Sequence, residues 1–275
     1  MSNSSEQVHR LAGAYGRGAR GYATVLDPTL EPMALHMIEI AGVSAGDRII
    51  DLATGTGAVA RAAARAGARV VALDLSRDML TVAQRLLPRS ICFVRADGSL
   101  LPFASRVFDT ITCGLSLSHF TDVPTFLAEV RRTLRPGGVF VASAWGSTST
   151  GSDPSFSAAF SVYKRYTQNT PRPFSTLLDE ASWMDPDRGR EVIAGSGLVS
   201  VEVITRRLTG TYQSAADAVQ WALAWPLTAE GCHQLPSAAC EALRAEALVA
   251  VEATGQLDWF RDVHYYRAKA AAVCA

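Results

Sequence analysis

The sequence has 275 residues, of which 26 are Lys or Arg and 26 are Asp or Glu, so its formal net charge is zero. A chain of this length buries about three quarters of its unfolded surface and needs neither disulfides nor a metal to hold a core. The balanced charge gives no global positive field for nucleic acid, and no stretch of about 18 apolar residues is available to span a bilayer.

Cysteine use and the first residues of the chain bear on its location. The five cysteines form no Cys-x-x-Cys pair, and the first ten residues contain no apolar run of the kind found in signal peptides. These features favour a reducing compartment, so we predict a soluble cytoplasmic protein. The length is large for one domain and small for two, which favours a single elaborated domain.

From residue 48 onward, β-branched apolar runs alternate with amphipathic stretches that end at Gly or Pro. Predicted strands cover residues 48–53, 69–74, 91–96, 108–113, 139–144, 198–207 and 257–269. Predicted helices cover residues 58–66, 77–87, 123–134 and, with a break at 235–236, 214–253. This alternation is typical of an α/β domain whose mostly parallel sheet is covered on both sides. Residues 146–182 interrupt it, and we predict an irregular insertion with one short helix around 156–166.

The most informative segment is a predicted strand that runs through Asp51 into a glycine turn and then a helix. Glycine allows positive φ and close approach of a ligand to the main chain, and the following helix N terminus offers free N–H groups. The spacing Gly55-x-Gly57-x-x-Ala60, with Asp74 further on, also matches the dinucleotide fingerprint. A nicotinamide-dependent oxidoreductase is therefore one alternative.

Acidic residues at the ends of neighbouring strands favour a different ligand. Asp51 immediately precedes the glycines, where a carboxylate would repel a pyrophosphate but suit an ammonium group. Asp97 follows the third predicted strand, and Arg-Pro-Gly-Gly at residues 135–138 introduces the fifth. Together these features resemble the class I S-adenosylmethionine-dependent methyltransferases. They are most similar to the small-molecule branch (methyltransferase type 11) that includes the ubiquinone and menaquinone C-methylases.

The segments that carry this resemblance are collinear with the family. They are residues 51–57, 74, 96–98, 101–103, 108–109, 117–120 and 134–138. The resemblance implies S-adenosylmethionine as cofactor and a Rossmann-like, doubly wound seven-stranded sheet whose last strand inserts antiparallel beside the fifth. It also divides the single domain into four parts. These are an N-terminal helical lid (1–45), an S-adenosylmethionine-binding core (46–145), an insertion or partly helical cap (146–197), and a segment that completes the sheet with a helical insertion (198–275).

The resemblance implies cofactor contacts along one edge of the sheet. Asp51 and the neighbouring glycine turn would hold the methionine moiety, Asp74 would accept from both ribose hydroxyls, and Asp97 would accept from the adenine amino group. Gly98 would let the base lie against the backbone. The candidate cofactor-binding residues are Asp51, Ala53, Thr54, Gly55, Gly57, Asp74, Leu75, Met79, Ala96, Asp97, Gly98 and Leu115.

Two residues are candidates for a catalytic role. His119 follows the fourth predicted strand, at the edge where ligands bind in such sheets, and its ordinary pKa near 6.5 suits a general base. A structural place in the floor beneath the sulfonium is the alternative. Tyr22 ends a glycine-rich segment that resembles the family's lid, where it would bind substrate or the cofactor carboxylate, or only pack.

Aromatic residues in the inserted segments predict a roomy apolar pocket for the methyl acceptor, with packing of the cap as the alternative for each. The substrate candidates are Tyr22, Trp145, Tyr163, Tyr166 and Trp183; the same segments also contain Phe156, Phe174, Tyr212, Trp221 and Trp225. We predict methyl transfer to a small, fairly hydrophobic molecule of specialised (natural-product) metabolism, with no metal. A bound cofactor that supports cyclisation or another non-methylating reaction is a second alternative, and self-association is left open.

Overall fold

The computed structural model describes residues 3–146, 152–170 and 183–272, with side chains described from Glu6 onward. Within these ranges the strands are β1 (Arg48–Leu52), β2 (Arg69–Asp74), β3 (Cys92–Arg95), β4 (Phe108–Cys113), β5 (Leu134–Trp145), β6 (Val199–Thr211) and β7 (Asp258–Lys269). They form one sheet in the order β3-β2-β1-β4-β5-β7-β6. Strands β1 to β5 pair in parallel, whereas β7 is antiparallel to both β5 and β6.

The sheet confirms the predicted fold class, including the last strand inserted antiparallel beside the fifth. The two largest differences from the predicted strands lie in β5 and β6. Strand β5 begins at Leu134, since the segment before Val139 also pairs with β4 across a register shift. Strand β6 extends to Thr211 because it pairs with β7 along nearly its whole length.

The helices of the described residues flank this sheet. They are α1 (Asn3–Gly21), α2 (Asp27–Ala41), α3 (Ala58–Arg65), α4 (Arg77–Leu86), α5 (Val123–Thr133), α6 (Pro154–Tyr166), α7 (Pro186–Gly195), α8 (Ala215–Ala224), α9 (Pro226–His233) and α10 (Ser237–Glu252), with a short 3-10 turn at Leu117–His119. The predicted break before Pro236 is confirmed, and a second break occurs because Pro226 starts a new helix. None of the described helices is both long and apolar enough to cross a bilayer.

Helices α6 and α7 flank the part of the predicted insertion that contains Phe174, which lies outside the described residues. Helix α6 confirms the short helix predicted there. Helix α7 was not predicted, although Asp185 before Pro186 is a recognisable start signal: its carboxylate accepts hydrogen bonds from the first free backbone N–H groups of the helix.

One almost continuous helix leads from α1 into α2 through a π-helical turn at Tyr22–Leu26. The glycines of α1 allow close packing of the helix against its neighbours. A Cβ at Gly16 would lie 2.9 Å from the Ser76 hydroxyl oxygen, and one at Gly18 would contact Pro226. The glycine-rich segment is thus part of a helix. Its glycines allow α1 to pack closely against the start of α4 and against α9.

Alternating side chains of the strands enter two apolar layers. Ile49 and Tyr265 belong to the layer that contains α2, α3, α8 and α10, whereas the next residues, Ile50 and Tyr266, belong to the layer that contains α5 and α7. Burial on both faces explains why the central strands, such as β1 and β4, are nearly continuous apolar runs rather than alternating ones.

A buried ion pair anchors α6 to β7. Asp153 and Arg261 are 4% and 7% exposed, and the Arg261 guanidinium donates to Asp153 Oδ2. The Tyr212 hydroxyl donates to the same oxygen over 2.8 Å, and Asp153 Oδ1 accepts from the Phe156 N–H at the start of α6. Aromatic rings surround the guanidinium, the nearest being that of Trp221 at 3.9 Å. Each polar atom of the carboxylate is thus satisfied inside an apolar layer.

Candidate active site

A cleft lies along the carboxyl ends of β1 to β4, beneath α1 and the π-helical turn. Its empty space, including the open mouth, is about 1220 Å³. In open α/β sheets this edge is where ligands bind. The structure brings His119, Tyr22 and all predicted cofactor-binding residues except Gly57 to the wall of the cleft. Those cofactor candidates are Asp51, Ala53, Thr54, Gly55, Asp74, Leu75, Met79, Ala96, Asp97, Gly98 and Leu115.

Asp51 stabilises the turn that follows β1. Ala53 and Gly55 take φ values of 52° and 56°, so the chain bends sharply around the carboxylate. Asp51 is 1% exposed, and its Oδ2 and Oδ1 accept hydrogen bonds from the hydroxyls of Thr54 (2.6 Å) and Thr112 (2.8 Å). Burial raises the pKa of Asp51 to about 6. Both carboxylate oxygens therefore already have protein partners.

Asp74, at the end of β2, connects the glycine turn to the start of α4. Its Oδ2 accepts from the Gly55 N–H and its Oδ1 from the Ser76 N–H, both over 2.8 Å. Burial raises the pKa of Asp74, while these backbone hydrogen bonds lower it. A carboxylate has about four acceptor positions. The side chain can therefore accept further hydrogen bonds from a ligand in the cleft.

Asp97 and Gly98 form the next turn along this edge. Asp97 Oδ1 accepts from the Ser99 N–H over 2.8 Å, which holds the carboxylate at the end of β3. A Cβ at Gly98 would lie 2.8 Å from the ring of Phe120, which stacks on Phe126. Close packing of this ring is thus a second reason for glycine, besides the approach of a base.

His119 is hydrogen-bonded to the lid. The distance from its Nε2 to the Tyr15 hydroxyl oxygen is 3.1 Å, and the two rings are tilted with centroids 5.1 Å apart. The bond crosses the cleft from the 3-10 turn after β4 to α1. Burial lowers the pKa of His119 to about 4, so the imidazole is neutral at pH 7 and a weak base.

We expect the nuclear magnetic resonance signal of the His119 ring to titrate with a midpoint near pH 4. Burial disfavours the cation, so protonation requires a pH well below the ordinary value of about 6.5. Tyr15→Phe removes the hydroxyl and keeps the ring, so the midpoint of that variant should also stay below 6.5. A parent midpoint between 6 and 7 would show that the ring is exposed to water.

Two residues at the lid end of the cleft were not among the predicted site residues. Asp27 is 3% exposed; its Oδ2 accepts from the Thr56 hydroxyl over 2.7 Å and lies 4.0 Å from an Arg61 nitrogen. Trp225 packs edge-on to Tyr22, with centroids 6.3 Å apart. An acidic residue immediately before Pro28, at the start of a largely apolar helical run, was the available signal for Asp27. Trp225 was named only among the aromatic residues of the cap.

Four predicted substrate residues do not line the cleft. Each of them instead packs against other parts of the fold, which was the alternative considered for it. Trp145 packs in the aromatic cluster around the buried guanidinium. The Tyr163 hydroxyl donates to the backbone of α9, and the pKa of Tyr166 is raised by the neighbouring Glu246 of α10. Trp183 is on the opposite face of the sheet, edge-on to Tyr266. Tyr22 is the substrate candidate that reaches the cleft.

Comparison with known sequences identifies the family of the core. Residues 50–142 match a family model described as a methyltransferase domain. A demethylmenaquinone methyltransferase from Renibacterium salmoninarum is 32% identical over 186 residues, an alignment that covers 63% of this chain and 75% of that protein.

Comparison with solved structures identifies the fold. The chain is similar to phosphoethanolamine N-methyltransferase 2 of Haemonchus contortus, solved in complex with S-adenosyl-L-methionine. The TM-score is 0.53 at 16% identity, with coverage of 87% of this chain and 52% of that one. It is also similar to the cyclase SpnF, with a TM-score of 0.54 at 16% identity and coverage of 88% and 81%. At these identities the likeness concerns the fold alone.

Proposed function

Because the chain belongs to the class I S-adenosylmethionine-dependent methyltransferases of the menaquinone C-methylase type, we propose that its cleft methylates a small, fairly hydrophobic acceptor. The observation that carries this proposal is the arrangement of Asp51, Asp74 and Asp97 along one wall of the cleft. The lid opposite them contributes apolar side chains. The acidic wall thus suits a polar cofactor, and the apolar part of the lid suits an apolar acceptor.

The residues present fit S-adenosylmethionine as the cofactor. Asp74 has acceptor capacity for two ribose hydroxyls beyond its bonds to the backbone. A hydrogen bond from the Ser99 N–H holds Asp97 where its carboxylate can accept a hydrogen bond from an amino group. Leu75 and Met79 contribute the apolar surface that a purine ring needs. When bound, the cofactor supplies an activated methyl group on a sulfonium centre. The protein then has mainly to place the acceptor atom in line and exclude water.

His119 is better suited to a structural role in the floor of the cleft than to the role of general base. Its low pKa leaves it a weak proton acceptor at neutral pH, since a base is most effective when its pKa is near the working pH. As a neutral ring bonded to Tyr15, it contributes no positive charge beside a cationic centre. We therefore propose that His119 positions the lid and supports the methyl donor without removing a proton.

The acceptor proposal concerns the lid side of the cleft. Its walls there come from Val8, Leu11, Ala12, Leu30 and Met33, which present no charge. The relative from Renibacterium salmoninarum is named for demethylmenaquinone, a quinone ring that lacks one methyl group. We propose the reduced (hydroquinone) form of a demethylated quinone as the first acceptor to test, because its electron-rich ring carbon can attack the methyl group and then lose its proton. Aromatic specialised metabolites are the second class.

The comparisons favour methyl transfer over the nicotinamide alternative. Transfer is separated from mere cofactor binding by an assay with isotopically labelled methyl donor. We expect label in the organic product and stoichiometric S-adenosylhomocysteine when a competent acceptor is supplied. Conversion of an acceptor without uptake of label would support a non-methylating reaction, and NAD(P)H binding without S-adenosylmethionine binding would contradict the proposal.

Asp74→Ala is expected to weaken S-adenosylmethionine binding about tenfold or more. The variant loses two hydrogen bonds to a charged acceptor, each worth about 1.5–3 kcal/mol, and a tenfold change in affinity corresponds to about 1.4 kcal/mol. Isothermal titration calorimetry measures the effect. Asp74→Asn keeps one acceptor oxygen and should give an intermediate loss. Asp187→Ala, an exposed carboxylate on α7, is the matched control. Equal affinities for Asp74→Ala and the parent would refute the ribose assignment.

A further inference from the structure

Two buried polar side-chain atoms lack a hydrogen-bond partner within residues 3–146, 152–170 and 183–272. They are Asp27 Oδ1 and Trp225 Nε1, and both residues line the same cleft. An unsatisfied buried polar atom costs about 1–3 kcal/mol, so native proteins seldom leave one without a reason. One orphaned acceptor and one orphaned donor in one cleft indicate a bound group that offers both polarities.

Tyr22 links the two residues: its ring contacts Trp225, and it begins the π-helical turn that ends immediately before Asp27. Trp225 packs edge-on to Tyr22. Tyr22, Asp27 and Asp74 all line the cleft. Burial raises the pKa of Tyr22, and the charges of Tyr15, Asp27 and Asp74 raise it further. The Tyr22 hydroxyl makes no hydrogen bond to the described residues, so it is a further available donor.

This part of the cleft adjoins the glycine turn. Asp27 Oδ2 accepts from Thr56, which lies between Gly55 and Gly57. The proposed function assigns the ribose to Asp74 and the adenine to Asp97, further along the same edge. The amino-acid end of the cofactor therefore belongs near the glycine turn and its neighbour Asp27.

Asp51, which was predicted to receive the methionine ammonium, is less accessible to a ligand than Asp74, because Asp74 is partly exposed at the cleft and Asp51 is not. The two Asp51 oxygens accept from Thr54 and Thr112, and the side chain is almost fully buried. Asp27 carries the same charge with one oxygen free. An ammonium group gains most from an acceptor that has no protein partner, and Asp27 Oδ1 is the buried carboxylate oxygen of the described residues that has none.

We propose that the lid of this protein recognises the zwitterionic α-amino acid end of S-adenosylmethionine. Asp27 Oδ1 accepts from the α-ammonium, and Trp225 Nε1 and the Tyr22 hydroxyl donate to the α-carboxylate. Asp51 instead maintains the shape of the glycine turn. The inference rests on the proposed placement of the cofactor and assigns to it a site that spans α2 and the loop between α8 and α9.

The test compares ligands that share the adenosine and differ in the amino-acid end. S-adenosylhomocysteine has the whole group, decarboxylated S-adenosylmethionine keeps only the ammonium, and 5′-methylthioadenosine has neither. For Asp27→Asn, calorimetry should show at least tenfold weaker binding of the first two and a change below about twofold for the third. For Trp225→Phe, it should show weaker binding of S-adenosylhomocysteine alone. Asp187→Asn is the matched surface control.

The outcomes separate the inference from the proposed function. If the parent binds neither S-adenosylhomocysteine nor 5′-methylthioadenosine, the placement of the cofactor is wrong. If the parent binds both ligands and Asp27→Asn weakens the binding of both equally, or of neither, the assignment of the α-ammonium to Asp27 is wrong. If that variant instead raises only the KM of the acceptor, the two unpartnered atoms face the acceptor. They then do not bind the amino-acid end of the cofactor, and the inference is wrong.

Stability measurements guard against a folding artefact. Burial raises the pKa of Asp27, so the folded chain disfavours its charge, and the neutral amide should leave the thermal midpoint of the ligand-free protein unchanged or raise it. A structural role alone would lower that midpoint. Trp225→Phe keeps an aromatic ring in this position and independently tests the proposed hydrogen bond from Trp225 to the α-carboxylate of the cofactor.

Discussion

Asp153→Ala is expected to lower the free energy of unfolding by about 3–5 kcal/mol, the usual cost of leaving one member of a buried ion pair without its partner. The Arg261 guanidinium would remain nearly fully buried among aromatic rings. Its cation–π contacts with these rings replace only part of the electrostatic stabilisation that the Asp153 carboxylate provides. The Tyr212 hydroxyl and the Phe156 N–H in the first turn of α6 would also lose an acceptor. Denaturant unfolding measures the change.

Three further variants identify the cause. Asp153→Asn keeps an oxygen for the start of α6 and should cost less than alanine. Arg261→Met, added to Asp153→Ala, removes the uncompensated charge and should recover part of the stability. Asp187→Ala breaks an exposed pair with Arg190 and should cost no more than about 1 kcal/mol. If Asp153→Ala and Asp187→Ala cost the same, the buried pair does not anchor α6 to β7.

Gly57→Ala is expected to cost about 2–5 kcal/mol of folding stability. Gly57 has a φ of 94°, a conformation that costs an L-residue about 1–2 kcal/mol. An added Cβ would also lie 2.3 Å from Cδ1 of Leu87, which is buried, so the core must shift at the further cost of overpacking, about 1–3 kcal/mol. Thermal and denaturant unfolding both report the loss.

Gly137→Ala is the matched control for backbone strain alone, because Gly137 has a φ of 74° and open space around its Cα. It should cost only about 1–2 kcal/mol. In a Leu87→Ala background, Gly57→Ala should cost about as much as Gly137→Ala, since the colliding atom is gone. Equal losses for the two glycine variants in the parent background would mean that Leu87 simply moves aside.

Local patterns in the sequence were sufficient to predict the strands and most of the helices that cover them, whereas the antiparallel insertion of the last strand was implied by the family resemblance. Buried parallel strands are short apolar runs. Ser76 sets a helix boundary through its side-chain oxygen, which accepts from the Met79 N–H, and Pro236 sets one through its fixed backbone. The glycine turn after Asp51 was visible for the same reason. Helix α7 was missed because its amphipathic pattern is short, although Asp185 was a usable signal.

Features that depend on distant parts of the chain were not predictable in this way. The Tyr15 partner of His119 lies 104 residues away in sequence, and the orphaned oxygen of Asp27 is apparent only when its surroundings are known. Trp145 and Trp225 look alike as sequence, yet Trp225 reaches the cleft while Trp145 lies over a buried guanidinium. Such differences arise from tertiary packing, which composition and spacing do not encode.

The π-helical turn at Tyr22–Leu26 has a geometric consequence. A π turn is equivalent to one extra residue in an α-helix, and each residue rotates the helix by about 100°. The face of α1 that covers the cleft is therefore out of phase with the face of α2 that packs in the core. Loss of a single residue from the turn would rotate the lid away from the ligand by roughly a quarter turn while the core contacts of α2 stayed intact. A single residue thus sets the orientation of the lid independently of the anchor that holds it.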